Sequence, residues 1–371
     1  MQRAIPATMM RGGTSRGLYF DASDLPADTA VRDRVLLSVM GSPDMRQING
    51  VGGAHPLTSK VAVLSKSNHP DADIDYLFLQ VAVDKAEVSD VQNCGNILAG
   101  VGPWAIEQGI VSAADGTTDV RIHMVNSGAL AVATVNTPDK VVAYHGDARI
   151  DGVPGTGAPV PLNFLDVAGS NCGALLATGN VVDTVNDIEM TCIDNGMPVV
   201  VMRASDFGKT GYETPEQLES DDKLKAQIEE IRLVIASRMN LGDVSNKTVP
   251  KMCLISAPAK GGAVCTRNFI PHRVHEAIGV LGAVSVATAC LLPGSVADGI
   301  AITENTALDS NTEQAGSGTK NIEVEHPTGS FTIAMVVDNS GGTPEVKQAA
   351  LLRTCRKLFA GEVYVPASLW P

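Results

Sequence analysis

Cys94 stands in Gln92-Asn93-Cys94-Gly95-Asn96, a polar, glycine-punctuated stretch that runs straight into Ile97-Leu98-Ala99-Gly100-Val101-Gly102. Asn93 is a good N-cap residue type, so the spacing predicts that Cys94 lies in the first turn of a helix. That turn carries unpaired N–H groups and the positive end of the helix dipole. Both favour thiolate over thiol, so a cysteine held there can exchange protons near neutral pH. The N–H groups of Gly95 and Asn96 can also hold a carboxylate or a developing oxyanion. Proton transfer on a small anion is the chemistry suggested. A buried, inert thiol near a helix end is the competing reading for a lone cysteine.

Lys60 is the second candidate. It follows Gly52-Gly53 and Thr58-Ser59 and opens the strand-like run Val61-Ala62-Val63-Leu64. A lysine at the head of an interior strand either reaches water or faces a pocket, and burial would bring its pKa down toward proton-shuttling range. Anion ligands cluster around the first glycine pair. Arg11, Ser15 and Arg16 flank Gly12-Gly13-Thr14, whose N–H groups are further donors, and arginine can grip a carboxylate bidentately. Ser59 and Asn93 adjoin the two acid–base candidates. Lys251, Arg267 and His272 are ligand candidates from the second half of the chain; for Arg16, Lys251 and Arg267 an ordinary surface charge competes. Gly12-Gly13 is not followed by a helix-like stretch, so it does not read as a dinucleotide loop.

The elements that must position these residues recur. The chain has 371 residues, enough for two domains. Ala22-Ser23-Asp24 is echoed by Ala204-Ser205-Asp206. Thr58-Ser59-Lys60 and the strand after it are echoed by Val249-Pro250-Lys251. The apolar helix expected over 94–108 is echoed by one over 273–291, with Gly100 opposite Gly279 and Arg273 opposite Cys94. Val125-Asn126-Ser127-Gly128 is echoed by His326-Pro327-Thr328-Gly329. Four matches in one order indicate an internal repeat. Each half then reads as strands around one apolar helix. The strands expected are 58–64, 76–83, 120–124 and 130–135 in the first half, and 193–202, 252–255, 322–325 and 331–337 in the second. Pro103 predicts a kink in the first helix. Segment 215–240 reads as an exposed amphipathic helix, 305–321 as a surface loop, and 351–366 as a strand returning to the first half. The reading is α+β, with domains at 1–182 plus 353–371 and at 183–352, and a site in the cleft between them.

The formal net charge of −13 argues against nucleic acid or an anionic membrane surface as partner. The seven cysteines are scattered, without a C-x-x-C pair, which disfavours a disulfide framework or zinc. No metal constellation or cofactor lysine motif is visible. Met1 to Pro6 lacks the apolar core of a signal peptide, and 277–293 is too short and mixed for a membrane span, so a cytoplasmic protein is expected. Oligomeric state stays open, a homodimer included.

Met10-Arg11-Gly12-Gly13-Thr14-Ser15-Arg16-Gly17, the stretch Asp44 to Lys60 with Gly50-Val51-Gly52-Gly53, and Asn93 to Gly102 resemble the 4-oxalomesaconate tautomerase and 2-methylaconitate cis–trans isomerase family of the diaminopimelate epimerase-like fold. So do Cys192 to Pro198, Asn240 to Ser245, and Ile270-Pro271-His272, and the resemblance covers nearly the whole chain. It implies two pseudo-symmetric domains, each a central helix wrapped by a mainly antiparallel sheet or barrel. It also implies a cofactor-independent isomerase that shifts a proton between two carbons of an unsaturated di- or tricarboxylate, with Lys60 and Cys94 carrying the transfers. Breakdown of aromatic acids such as gallate is the implied context. Epimerases of this fold use two cysteines, one at each helix start. With Arg273 opposite Cys94, and Cys172 between the halves, stereoinversion by two thiols is not expected.

Overall fold

The computed structural model describes residues 1–91, 93–165, 167–271, 273–303, 320–338 and 345–370. The chain divides into two compact units, Met1–Leu165 with Leu352–Pro371, and Asp166–Leu351.

In the first unit the hairpin β1 (Gln2–Gly12) and β2 (Ser15–Asp21) leads to a helix, α1 (Thr29–Met40). The sequence reading assigned no element there. Asp28 caps α1 by accepting from the Val31 N–H, Gly41 ends it at φ +79°, and Val35, Leu36, Val39 and Met40 are its buried face. Then come β3 (Lys60–Lys66), β4 (Ile74–Val81), β5 (Val88–Ser89), the short helices α2 (Gly95–Leu98) and α3 (Val101–Glu107), β6 (Gly116–Met124), β7 (Ala129–Thr137) and β8 (Pro159–Leu165). The second unit contains β9 (Asp183–Val185), β10 (Ile188–Asp194), β11 (Pro198–Arg203), α4 (Pro215–Glu219), α5 (Asp222–Arg238), β12 (Lys251–Ser256), β13 (Val264–Ile270), β14 (Arg273–Val274), α6 (Val280–Leu291), β15 (Lys320–His326) and β16 (Gly329–Asp338). A long strand, β17 (Glu345–Pro366), begins in the second unit and ends in the first.

The pairing confirms the repeat. β2 lies parallel to β3 with Gly17 opposite Lys60, and β11 lies parallel to β12 with Val199 opposite Lys251. β3–β4 and β12–β13 are antiparallel. β4–β6 and β13–β15 are parallel. β6–β7 and β15–β16 are antiparallel hairpins. In the first unit β17 pairs antiparallel with β1, from Gln2 opposite Pro366 to Gly12 opposite Cys355. β8 pairs with β7 and with β17, so this unit's strands follow one another in a closed circle around α2 and α3. Closure leaves no free edge. Ile97, Leu98, Val101 and Ala105 have no exposed surface and Trp104 has 3%. A helix apolar on every side belongs in such an interior. Gly102 permits close approach to the wall, since a Cβ there would stand 2.9 Å from Val135 Cγ2.

Several expected elements differ. The helix read over 94–108 is two helices, parted at Ala99 and Gly100. Pro103 sits in the first turn of α3, where its missing N–H costs no helical bond. The helix read over 273–291 starts only at Val280; Arg273 belongs to β14. The run 193–202 is not one strand. Gly196, at φ +87°, turns it into the β10–β11 hairpin. Segment 215–240 forms α4 and α5, and α5 is less exposed than expected, burying Leu224, Ile228, Ile231, Ile235 and the whole of Arg232. The loop read over 305–321 lies outside the described residues up to 319. Among the described residues no helix is long and apolar enough to cross a membrane.

Candidate active site

Lys60 heads β3 with only 7% of its surface exposed. Its Nζ donates to Gln80 Oε1 at 2.7 Å, directly across the β3–β4 ladder, and stands 4.9 Å from the centre of the Phe78 ring. Gln80 is held in turn, its Nε2 donating to the carbonyls of Ser59 (2.9 Å) and Pro56 (3.1 Å). Ser59 is fully buried and its Oγ accepts from Gln47 Nε2 at 2.7 Å. Gln47, 1% exposed, also donates to Ser42 Oγ and accepts from the Ala54 N–H, which pins the loop before β3. Lys60 is therefore neither snorkelling nor loose. It is a buried ammonium on a hydrogen-bonded mount, lying on an aromatic face.

Cys94 is the N-cap of α2 and not a first-turn residue, and Asn93 is not the cap. The Asn93 amide donates instead to Ser127 Oγ at 2.7 Å. The Cys94 carbonyl accepts the Leu98 N–H (3.0 Å) and the Tyr76 hydroxyl (3.1 Å). Tyr19 donates to the Ile97 carbonyl at 2.5 Å, in space that a Cβ at Gly100 would fill. Burial, with the Cys94 charge adding to it, holds both phenols well above their ordinary pKa, so they serve α2 as donors. Tyr76, Phe78 and Gln80 alternate along β4 and so share one face. That face meets the Cys94 backbone at Tyr76 and the Lys60 ammonium at Phe78 and Gln80. Residues two apart on a strand are separated by about 7 Å.

The first glycine hairpin abuts the start of α2. A Cβ on Gly12 would lie 2.3 Å from the Asn96 carbonyl oxygen, and one on Gly13, at φ +51°, would lie 2.1 Å from Asn96 Oδ1. Asn96 Nδ2 donates to Thr14 Oγ1 at 3.1 Å, and its Oδ1 accepts from Arg353 Nε at 3.1 Å. Arg353, 3% exposed, was not foreseen. Burial pulls its guanidinium down to about 10, and the charge of Cys94 opposes that shift. It remains a cation at neutral pH, beside the thiol. Ser15 shares a face with Gly17 and hence with Lys60; it is 1% exposed and its Oγ has no partner among the described residues.

Other candidates fall elsewhere. Arg11 and Arg16 lie opposite one another on β1 and β2, on the face away from Gly17 and Lys60. Arg11 Nη1 donates to the carbonyls of Gly13 and Thr354. Lys251 and Arg267 belong to the second unit. Lys251 donates to the Thr248 carbonyl, and burial, with Arg232 nearby, lowers its pKa. Arg267 braces the loop before α4 through the Glu213 carbonyl and also donates to the Thr266 carbonyl. His272 lies outside the described residues. Among the described residues no group of three or more His, Cys, Asp or Glu side chains could hold a metal.

The family model described as "PrpF protein" matches residues 2–366. The chain belongs to the PrpF family. It is 59% identical to a (4E)-oxalomesaconate Delta-isomerase of Novosphingobium sp. (strain KA1), over 97% of both chains. It is 56% identical to a 4-oxalomesaconate tautomerase of Pseudomonas putida, over 100% of this chain and 98% of the other. The crystal structure of a methylitaconate-delta-isomerase superposes with a TM-score of 0.85 at 34% identity, covering 99% of this chain and 97% of that one. This PrpF-family chain is an isomerase, and its α+β architecture is the diaminopimelate epimerase-like one expected from the sequence.

Proposed function

We propose that this isomerase converts 4-oxalomesaconate, or a closely related unsaturated tricarboxylate, by a 1,3-proton shift, in the breakdown of aromatic acids such as gallate. The single observation that carries the reading is the convergence of Lys60 and the Cys94 segment on one face of β4, with Asn96 and Arg353 beside the thiol. The identities to the two oxalomesaconate isomerases favour the substrate.

The chemistry needs a base at one carbon and an acid at another. In this reading Lys60 and Cys94 take those parts in an order that either assignment satisfies. One removes a proton from the carbon made acidic by the adjacent carbonyl. The C=C bond shifts as charge moves onto oxygen, and the other returns a proton at the far carbon. The first-turn N–H groups of Gly95 and Asn96, which have no helical acceptor, and the hydroxyl of Ser15 are donors for that charge.

An ultraviolet assay tests this, with 4-oxalomesaconate and 2-methylaconitate offered side by side in deuterium oxide. Turnover of the first with solvent deuterium incorporated, and a loss of about 10² to 10⁴ in kcat for both Lys60→Ala and Cys94→Ala, is the expected result. Turnover of 2-methylaconitate alone would replace the substrate. Turnover of neither, with tight binding of either, would replace the enzyme by a polycarboxylate-binding protein.

A further inference from the structure

Arg16, Arg11 and Arg356 occupy one cross-strand row. Arg16 on β2 is registered opposite Arg11 on β1, and Arg11 is registered opposite Arg356 on β17. Adjacent strands lie about 4.8 Å apart and directly opposed residues share a face, so three guanidinium stems leave one side of the sheet within about 10 Å. Like charges directly opposed in a sheet are destabilising. None of the three forms an ion pair with a described carboxylate. The chain as a whole is acidic, at −13, so such a row is not a by-product of a basic surface.

The row lines a cavity of about 400 Å³ with Thr14, Thr58 and Pro154. Arg16 Nε is buried there without a hydrogen-bond partner, and a Cβ on Gly53 would lie 2.5 Å from its Nη2, so the glycine makes room for the guanidinium. Burial chiefly, and the Arg356 charge in addition, hold the Arg11 guanidinium below its ordinary pKa. The arginine row faces away from Lys60, while Thr14 and Ser15 line this cavity and also adjoin the site around Lys60 and Cys94. Lys60 shares its face with Gly17, and side chains alternate along β2, so Arg16 points the other way.

We propose that the Arg16–Arg11–Arg356 row is a second anion site, built to hold a small molecule carrying at least two negative charges on carboxylate or phosphate oxygens. Thr14, whose hydroxyl accepts from Asn96, has a proton to donate at its rim, whereas the Thr58 hydroxyl donates to the His55 carbonyl. Arginine forks match both kinds of oxyanion, and a bound polyanion removes the repulsion within the row.

The test is calorimetric titration of the full chain with inorganic phosphate and with citrate at low salt, for wild type, Arg356→Ala, Arg356→Lys and Lys60→Ala. Citrate and phosphate are the probes for the two sources of oxyanion. Binding of either at sub-millimolar concentration is expected. It should weaken at least tenfold in Arg356→Ala and less in Arg356→Lys, fall with added salt, and stay within about twofold in Lys60→Ala. Arg356 is exposed, so its replacement does not threaten folding. If neither probe binds, or if Lys60→Ala abolishes binding while Arg356→Ala leaves it, the second site does not exist. Failure of the tautomerase reading would show in the Lys60→Ala and Cys94→Ala turnover and not in these titrations.

Discussion

Replacing Gly12 by alanine tests whether the glycine hairpin sets the position of α2. The added Cβ would lie 2.3 Å from the Asn96 carbonyl oxygen, 3.1 Å from the Asn96 carbonyl carbon and 3.1 Å from Ile97 Cα, all backbone atoms that no rotamer change can withdraw. Ordinary contact begins near 3.4 Å, so β1 and α2 must part by about 1 Å. Overpacking of this kind costs about 1–3 kcal/mol. A misplacement of about 1 Å at a reacting group costs roughly 10² in rate. Gly109→Ala is the matched control. Its φ is +72° with nothing within 4 Å of the new Cβ, so it carries a left-handed penalty of about 1–2 kcal/mol and no displacement of α2. Both variants should melt a few degrees lower. At a temperature where both remain folded, Gly12→Ala should lose about 100-fold in kcat on 4-oxalomesaconate and Gly109→Ala less than twofold. Equal kcat losses in the two variants, or full activity in Gly12→Ala, would show that the hairpin does not position the cysteine.

Iodoacetamide at neutral pH should label one cysteine per chain, Cys94, with loss of turnover in step. Burial pushes the thiols of Cys172, Cys290 and Cys355 up to about 12, and those of Cys192 and Cys253 higher still, Cys265 is buried, and Cys94 is partly exposed. Mass spectrometry of the modified protein would refute this by finding another site labelled first. Arg232→Ala should destabilise the protein by about 3–5 kcal/mol in a urea melt, because it strips donors from the carbonyls of Val244 and Val249 and leaves Glu229 without its partner. Burial, chiefly, and the Lys251 charge lower the His275 pKa, so the folded state binds fewer protons than the unfolded chain. That contribution is present in full above the unfolded value of about 6.5 and is lost as pH falls through it toward the folded pKa. Urea midpoints should drop from pH 7.5 to 5.5, and less steeply in His275→Gln.

The acid–base candidates were legible because their signals are local. A polar run with one glycine marks the start of α2, and Lys60 breaks the polarity of a strand that is otherwise apolar. Their supports were not legible, because they arrive from far along the chain: Gln80 meets Lys60 across a strand pair, and Arg353 meets Asn96 from 257 residues away. In sequence Arg353 is one of three basic residues, with Arg356 and Lys357, in the strand read over 351–366, and nothing marks it as the buried one. The β10–β11 hairpin hid in the run 193–202 because both strands are buried on both faces, so no alternation marks the turn. Helix α1 escaped because its buried residues crowd into its second half. Arginines 11 and 16 were read with the glycine loop beside them. Strand alternation, which depends on register, turns their side chains to the other face.

The repeat explains why one copy carries the thiol. Cys94 is the N-cap of α2 and Gly279 the N-cap of α6, which makes Gly279, and not Arg273, the counterpart of Cys94. Each helix receives a hairpin turn: Gly12–Gly13 against Asn96 in the first unit, Asn195–Gly196 against Leu281 in the second. In the second copy the contact is sealed. The Asn195 N–H donates to Ser285 Oγ and its amide donates to Thr288 Oγ1, all among buried residues, and Ser285 Oγ donates to the carbonyl of half-buried Met197. These bonds hold the hairpin on the helix, with Asn195 Oδ1 left without a partner among the described residues. In the first copy the second helix position is an amide bonded to Thr14 and Arg353, and a partly exposed thiol stands two residues before it. One copy has turned the junction into a packed contact, and the other presents a partly exposed thiol next to an amide held by Thr14 and Arg353. Inversion at a single carbon requires acid–base groups on both faces of that carbon, and the counterpart of Cys94, Gly279, has no side chain. A shift of one proton between two carbons requires only two such groups within one copy, the parts proposed for Lys60 and Cys94.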